Sequence, residues 1–441
     1  MRTNLLPGAP PTLTRRANAC TIGDTYHSYV SPRLAHRSAG HPPRDEAPDE
    51  GNANAVIRVG IIGTGAISAA HVAGYRAHPG TARIVAMADR SPGKAAAKAA
   101  AAGLTDVACY DSATALLEAG GVDLVSIATP PESHAALAVQ ALDAGVHVLV
   151  EKPMAPSLEE CDAMVAAQRR SGKVLSVVAQ NRFRDEMVVL KSALDSGLAG
   201  PVSHVQVSSH WWRGEPYYDL WWRGTWDVEG GGSTLNHAIH HADLLLWLLG
   251  TPDSVQAVLT NAQHDNSEVE DLSVALLRYG RAVAQLTASV VHHGEEQEIV
   301  VQARDARISQ PWRVTAERSA PNGFPEPGGN AALVAALDDL AAAHRPIPHR
   351  MHAGQIGDVL AAVEQGRAPL VTAEDGRAAV ELVTAIYEAG IEGRSVPFPL
   401  PPDDPYRRDG HRSARAPRYF TKRASVADQD GAIVVGSSTD A

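Results

Sequence analysis

Cysteine is scarce in this chain. There are three, Cys20, Cys109 and Cys161, and no two are spaced as CxxC. An odd, scattered set excludes a disulfide framework and the common zinc motifs, and it points to a reducing, cytoplasmic setting. Long apolar runs are missing as well. No stretch approaches the roughly 18–20 residues that a membrane-spanning helix needs. Arg15-Arg16 near the start is followed by ANACTIGDTYHSYV, which lacks the apolar core of an export signal. Positive charge is in deficit, with a formal net charge of −11, so no nucleic-acid or membrane partner is expected. Aromatic residues make up only 5% of the chain.

The aromatics that exist are crowded together. Residues 211 to 226 read WWRGEPYYDLWWRGTW and hold five of the seven tryptophans, with Tyr217 and Tyr218 between them. The glycines and Pro216 mark this stretch as a loop rather than a packed strand. Indole rings suit the C–H face of a sugar, while arginine and aspartate suit its hydroxyl rim. Trp211, Trp222 and Arg223 are therefore candidate substrate contacts. An oligomer interface enriched in the same residue types is the competing reading.

From Val56 the pattern alternates. AVIRVGII, ARIVAMAD, DLVSIAT, VHVLVEKP and VLSVVAQN read as apolar strands, with helical patterns such as AISAAHVAGYRAH and SLEECDAMVAAQRRSG between them. This predicts an α/β domain over 55–180, a Rossmann-like, doubly wound parallel sheet covered on both faces. Strands then follow one another through VSHVQVSSHWW, DSVQAVLTNAQ, LSVALLRYG, AVAQLTASVV and EQEIVVQA. They predict an α+β domain over 181–400 on an open, mostly antiparallel sheet. Helical patterns near 353–366 and 373–391 close that domain or pack back on the first. Residues 1–54 and 401–441 show no hydrophobic period and are expected to be disordered tails.

The first βα turn is Gly63-Thr64-Gly65-Ala66-Ile67-Ser68. Its glycines allow a tight turn and a close approach of backbone to a pyrophosphate at a helix N-terminus. Ser68 stands where the last glycine of GxGxxG would be. Asp89 ends the second strand, where an acidic side chain accepts from the ribose hydroxyls of NAD. Arg90 follows it and suits a 2′-phosphate, so NADP stays open. Gln180, Asn181 and Arg182 come after the last strand of this domain. They contact the nicotinamide or the substrate, or they cap the domain junction.

These features sit among others. Gly63-Thr64-Gly65, SIATPPESH (126–134), GVHVLVEKPMA (145–155) and GGGSTLNHAIHHADLLLWLLG (230–250) occur in that order. Together they resemble the Gfo/Idh/MocA family of oxidoreductases, over about 56–400. The resemblance implies NAD(P)-dependent oxidation or reduction of a sugar, cyclitol or nucleotide sugar. It also implies a homodimer or homotetramer formed through the C-terminal sheet. By position it makes Thr129, Pro130 and His134 part of the cofactor loop, Glu151 and Lys152 the Glu-Lys pair before proline, and His240 the catalytic histidine. Many members carry aspartate four residues before that histidine; here it is Asn236.

Alcohol oxidation needs a proton acceptor at the hydroxyl. Lys152 ends a strand at the carboxyl edge of the parallel sheet, where such folds place ligands. Desolvation beside a nicotinamide would lower its pKa and fit it to take the proton. Asn236, His240 and Asp243 share one face of a continuous helix, at i, i+4 and i+7. His240 is expected to position the hydroxyl, Asn236 to bond to it, and Asp243 to orient the helix or the substrate. His237 and His241 are spaced for zinc, but no third ligand follows, so no metal is expected. Two rival functions remain: a glycoside hydrolase that uses NAD transiently, and a non-catalytic NAD(P)-binding sensor.

Overall fold

The computed structural model describes residues 56–423, 425 and 426. The extension expected over 1–54 and the tail beyond 426 lie outside the described residues. The alternation read from Val56 becomes β1 (Ile57–Ile62), α1 (Ser68–Arg76), β2 (Ala82–Ala88), α2 (Lys94–Ala101), β3 (Ala108–Tyr110), α3 (Ala113–Ala119), β4 (Leu124–Ile127), α4 (His134–Asp143), β5 (His147–Val150), α5 (Leu158–Ser171) and β6 (Leu175–Val177). The strands form one parallel sheet in the order β3-β2-β1-β4-β5-β6. Val59, Ile61, Leu124 and Val148 are fully buried, as strands covered on both faces require. The order reverses between β1 and β4, which opens a crevice at their carboxyl ends. A capping box of Ser157 with Glu160 starts α5.

After α6 (Asp185–Asp195) the character changes as the sequence predicts. β7 (Val202–His210), α7 (Ser233–Asn236) and α8 (Ile239–Leu249) precede β8 (Ser254–Thr260), β9 (Leu272–Tyr279), β10 (Ala282–Ser289), β11 (Gln297–Ala303), β12 (Arg307–Gln310) and β13 (Arg313–Thr315). Then come α9 (Ala331–Ala342), α10 (Met351–Gln365), α11 (Ala373–Glu392) and the short β14 (Val396–Pro397). The sheet runs β13-β12-β11-β7-β10-β9-β8-β14. All its pairs are antiparallel except β7 with β10. Ala275, Leu277, Ala284 and Leu286 point to the covered face and are buried. Register puts Val258, Leu276 and Val283 on the opposite face, where they are exposed.

α10 belongs in space to the first sheet. Ile356, Val359 and Leu360 share a core with Ile57, Val72, Tyr75 and Ile84. Gly74 of α1 makes room for it, since a Cβ there would come within 2.4 Å of Ile356.

The tail expected to be disordered from residue 401 is not so over its first part. A turn at Pro405–Arg407 and α12 (His411–Arg415) follow β14. The Tyr406 hydroxyl donates to Glu392, and the buried Arg412 lies over the Tyr387 ring. Trp226 Nε1 donates to the carbonyls of Glu268 and Pro417. Single large side chains and arginines anchor this segment, so no hydrophobic period announces it.

Candidate active site

The glycine loop has the shape its sequence suggests. Gly63 has φ +92°, and a Cβ there would press within 2.6 Å of the Ala128 carbonyl. The Ser68 hydroxyl donates to the Gly65 carbonyl at 2.7 Å and closes the loop where a third glycine is missing. The backbone N–H groups of Gly65, Ala66 and Ile67 form no hydrogen bond among the described residues. A Cβ on Gly65 would meet open space. Three free donors at the start of α1 fit a pyrophosphate. Asp89 Oδ2 accepts from the Thr64 N–H (3.0 Å) and hydroxyl (2.6 Å). Oδ1 accepts from Ser91 N–H at 3.0 Å. Burial works to raise the Asp89 pKa, but these hydrogen bonds outweigh it and leave the carboxyl below its ordinary value. Arg90 is exposed.

The second cofactor loop divides into contact and brace. Thr129 and Pro130 are accessible, and Thr129 Oγ1 accepts from Ser133. His134 is fully buried, with Nδ1 on the Pro153 carbonyl and Nε2 on the Thr129 carbonyl. Its ring ties the loop to the Glu-Lys-Pro segment, with both ring nitrogens already engaged. The Asn181 amide makes no hydrogen bond within the described residues and sits at the domain junction.

The Glu151 carboxylate is likewise committed inside the protein. It is buried, and its Oε1 accepts from His71 (3.0 Å) and His352 (3.2 Å). Burial alone would raise its pKa, yet the two histidines hold it well below the ordinary carboxylate range. Oε2 accepts from the Lys152 backbone N–H at 3.1 Å, which fixes the start of the lysine side chain. His71, Glu151 and His352 are the one group of potential metal-ligating side chains that converge among the described residues. The hydrogen bonds of both histidines to Glu151 account for the convergence.

Lys152 reaches across the domain junction. Its Nζ donates to the Asn236 backbone carbonyl at 3.1 Å. Burial lowers its pKa; Glu151 opposes this, Arg223 adds to it, and Glu229 opposes it. Lys152 and His240 line a common hollow of about 20 Å³, room for one water molecule. The His240 ring is partly exposed and hydrogen-bonds to nothing among the described residues. Burial, then the Lys152 cation, pushes its pKa well below the usual histidine range, so it is neutral.

The helix carrying His240 is broken. α7 stops at Asn236, His237 has φ −111°, and α8 begins at Ile239. The break takes Asn236 off the expected face, while His240 and Asp243 stay together on α8 and line one hollow. Asn236 Nδ2 donates to the carbonyls of Gly231 (2.9 Å) and Gly232 (3.2 Å) and braces the glycine turn. Gly232 has no room for a side chain, because a Cβ would lie 1.8 Å from the Glu270 carbonyl. Asp243 lines the same hollow as Lys152 and His240, but its carboxylate is already engaged. Both its oxygens take Arg182, at 2.9 and 2.7 Å, in a buried pair that bolts α8 to the end of the first domain. His237 faces the rings of Trp211 and Tyr217, away from any partnership with His241.

The tryptophan stretch lies close to these residues: Trp211 and Tyr217 pack beside His237, and the charges of Arg223 and Glu229 act on Lys152. Trp211, Trp222 and Arg223 are partly exposed there; Trp212 and Trp221 face solvent, and Trp226 is core. Glu229 did not stand out in the sequence, and Tyr217 did so only as one of the crowded aromatics. Glu229 is buried and accepts from Arg223 Nη1 (3.0 Å) and Gly224 N–H (2.6 Å). Burial pushes its pKa up to about 7. Its signal in the sequence was only an acidic residue just ahead of three glycines.

A dinucleotide loop facing a lysine and an uncommitted histidine across one cleft is the build of a two-domain, nicotinamide-dependent oxidoreductase. Residues 57–179 match the oxidoreductase family model with an NAD-binding Rossmann fold, and 187–309 match the Gfo/Idh/MocA C-terminal domain. The chain belongs to the Gfo/Idh/MocA family. An uncharacterised oxidoreductase of Schizosaccharomyces pombe is 31% identical, over 54% of this chain and 64% of that protein. Inositol 2-dehydrogenase 1 of Saccharopolyspora erythraea is 37% identical over 33% of this chain and 43% of its own length. The chain thus spans less than two thirds of each of these relatives. Among solved structures, the WlbA dehydrogenase from Bordetella pertussis, in complex with NADH and UDP-GlcNAcA, is 29% identical with a TM-score of 0.67. That match covers 79% of this chain and 100% of the other.

Proposed function

We propose that the protein oxidises or reduces a CH–OH group of a sugar, cyclitol or nucleotide sugar with NAD. One observation carries this reading: the lysine and the unpartnered His240 ring share a hollow at the carboxyl edge of the parallel sheet. NAD, when bound, supplies the hydride acceptor. Lys152 Nζ takes the hydroxyl proton, helped by a pKa that burial lowers. His240, neutral, donates or accepts one hydrogen bond and positions the hydroxyl. Gly65, Ala66 and Ile67 N–H groups hold the pyrophosphate, and Asp89 favours NAD over NADP by repelling a 2′-phosphate. Trp211 and Trp222 cover a sugar face. A homodimer or homotetramer through the exposed sheet face around Val258, Leu276 and Val283 is part of the proposal. So is a cytoplasmic setting, supported by the free thiols of Cys109 and Cys161.

A screen of sugars and cyclitols read as NADH absorbance tests the reaction. Lys152→Met should lower kcat by about 10²–10⁴-fold, the usual span for an acid–base group, while NAD still binds by fluorescence titration. The wild-type rate should rise with pH through a pKa below that of free lysine. Near-normal turnover by Lys152→Met would transfer the base role to His240.

A further inference from the structure

Arg223 is gripped so that half of its donor fork stays free. Its guanidinium carbon lies 4.1 Å from the centre of the Tyr217 ring and 4.2 Å from that of Trp222. Contact with two aromatic faces fixes the plane of the group. Nη1 is taken by the Tyr217 hydroxyl and by Glu229. Nε is buried with no partner, and Nη2 makes no hydrogen bond among the described residues. The Nε–Nη2 edge is the one that meets a planar carboxylate through two parallel bonds.

A buried N–H without an acceptor costs free energy, so its persistence in a cleft wall calls for an explanation. Glu229 does not supply one, because it occupies the far corner of the guanidinium. The same wall has two more unmet buried polar atoms, Trp211 Nε1 and His237 Nδ1, on rings 5.6 Å apart. Arg213 lies 5.3 Å from the Trp211 ring and 5.7 Å from Tyr217, and its bond to Glu295 again uses Nη1 alone. Two cations, each met by a carboxylate at one corner, thus share this wall with unmet polar atoms of Trp211 and His237. The wall adjoins Lys152 through His237, whose neighbour Asn236 receives Nζ.

We infer that the substrate is a sugar acid, and that its carboxylate binds side-on to the Nε–Nη2 edge of Arg223. The inference rests on the sugar-oxidoreductase reading above and narrows it. A tetrahedral phosphate would meet this single planar edge with only two of its oxygens; a carboxylate is satisfied by it.

Matched pairs test the idea on the full-length protein. Hexuronates and aldonates are compared with the neutral sugars of the same configuration, and hexose 6-phosphates form a third arm. Initial rates with NAD are measured beside binding in the presence of NADH, followed by tryptophan fluorescence. In at least one pair the acid should bind about tenfold or more tightly than its neutral partner, as a charge-assisted bidentate contact allows. Arg223→Lys keeps a cation beside Glu229 but has no planar fork, and should bring that preference down to about threefold or less. Arg223→Met combined with Glu229→Gln removes both charges together, and should do the same without leaving a buried carboxylate alone.

Equal or better binding of the neutral partner in every pair overturns the inference. So does an acid preference that survives Arg223→Lys, preference for the phosphates, or no binding of any acid. Neutral sugars oxidised while acids are ignored would sink the carboxylate site and leave the dehydrogenase reading standing. Arg223-dependent acid binding with no NADH from any sugar would do the reverse.

Discussion

Asn236 meets Lys152 through its backbone carbonyl, and its amide nitrogen is committed to Gly231 and Gly232. An aspartate there would turn two donors into acceptors that face carbonyl oxygens. Asn236→Asp should therefore destabilise the protein, by about 1–3 kcal/mol for buried bonds replaced by repulsion, seen as a lower urea midpoint. A variant at least as stable as wild type would mean that the glycine turn does not need this brace. Glu229 supplies a pH test. Its folded pKa of about 7 lies above the ordinary 4.5, so the folded state holds the proton more tightly than the unfolded chain. The stability this gives is complete below about pH 4.5 and is lost as pH rises through about 7. Between pH 5 and 8, wild type should lose on the order of 3 kcal/mol that Glu229→Gln does not lose, read from denaturant midpoints at both pH values. Parallel pH curves for the two proteins would show that Arg223 keeps Glu229 charged throughout.

Elements were more legible than the contacts between them. The Rossmann strands announced themselves through unbroken apolar runs, and Gly63 through the turn it must make. Lys152 was readable because a strand end dictates where a side chain goes. Asp243 was not, since helical spacing says which face a residue shares but not that Arg182 waits opposite. The break at His237 was equally hidden: nothing in LNHAIHH is a helix breaker, and tertiary contacts of the glycine turn end α7. The Arg182–Asp243 pair links the end of the first domain to α8, with Asp375 at the N-terminus of α11 as a third member. Asp243→Ala leaves a buried guanidinium with only Asp375, and should cost about 3–5 kcal/mol. Chemical denaturation measures it. A loss below about 1 kcal/mol would class the pair with exposed surface bridges.

On the scale of the whole molecule, the segment after residue 400 is structural. Tyr406, Arg412 and Pro417 meet Glu392, Tyr387 and Trp226, while Arg407 reaches Asp162 and Arg418 reaches Glu268. A chain ending at Leu400 should lose on the order of 3–5 kcal/mol, as for deleting one or two large core side chains. Its thermal midpoint should fall well below that of a chain ending at Val426. Equal midpoints would return the segment to the status of a loose tail.

α10 has a consequence for the order of assembly. The first sheet leaves the ribosome early, yet the helix that seals Val72 and Tyr75 arrives only after every strand of the second sheet but the short β14 has been made. Until then an apolar face stays open to water, and the nascent half-molecule is a sticky intermediate rather than a finished domain. The long sequence separation of these contacts also slows their formation. Nucleotide-binding competence is thus acquired late, when the chain has come back to where it began.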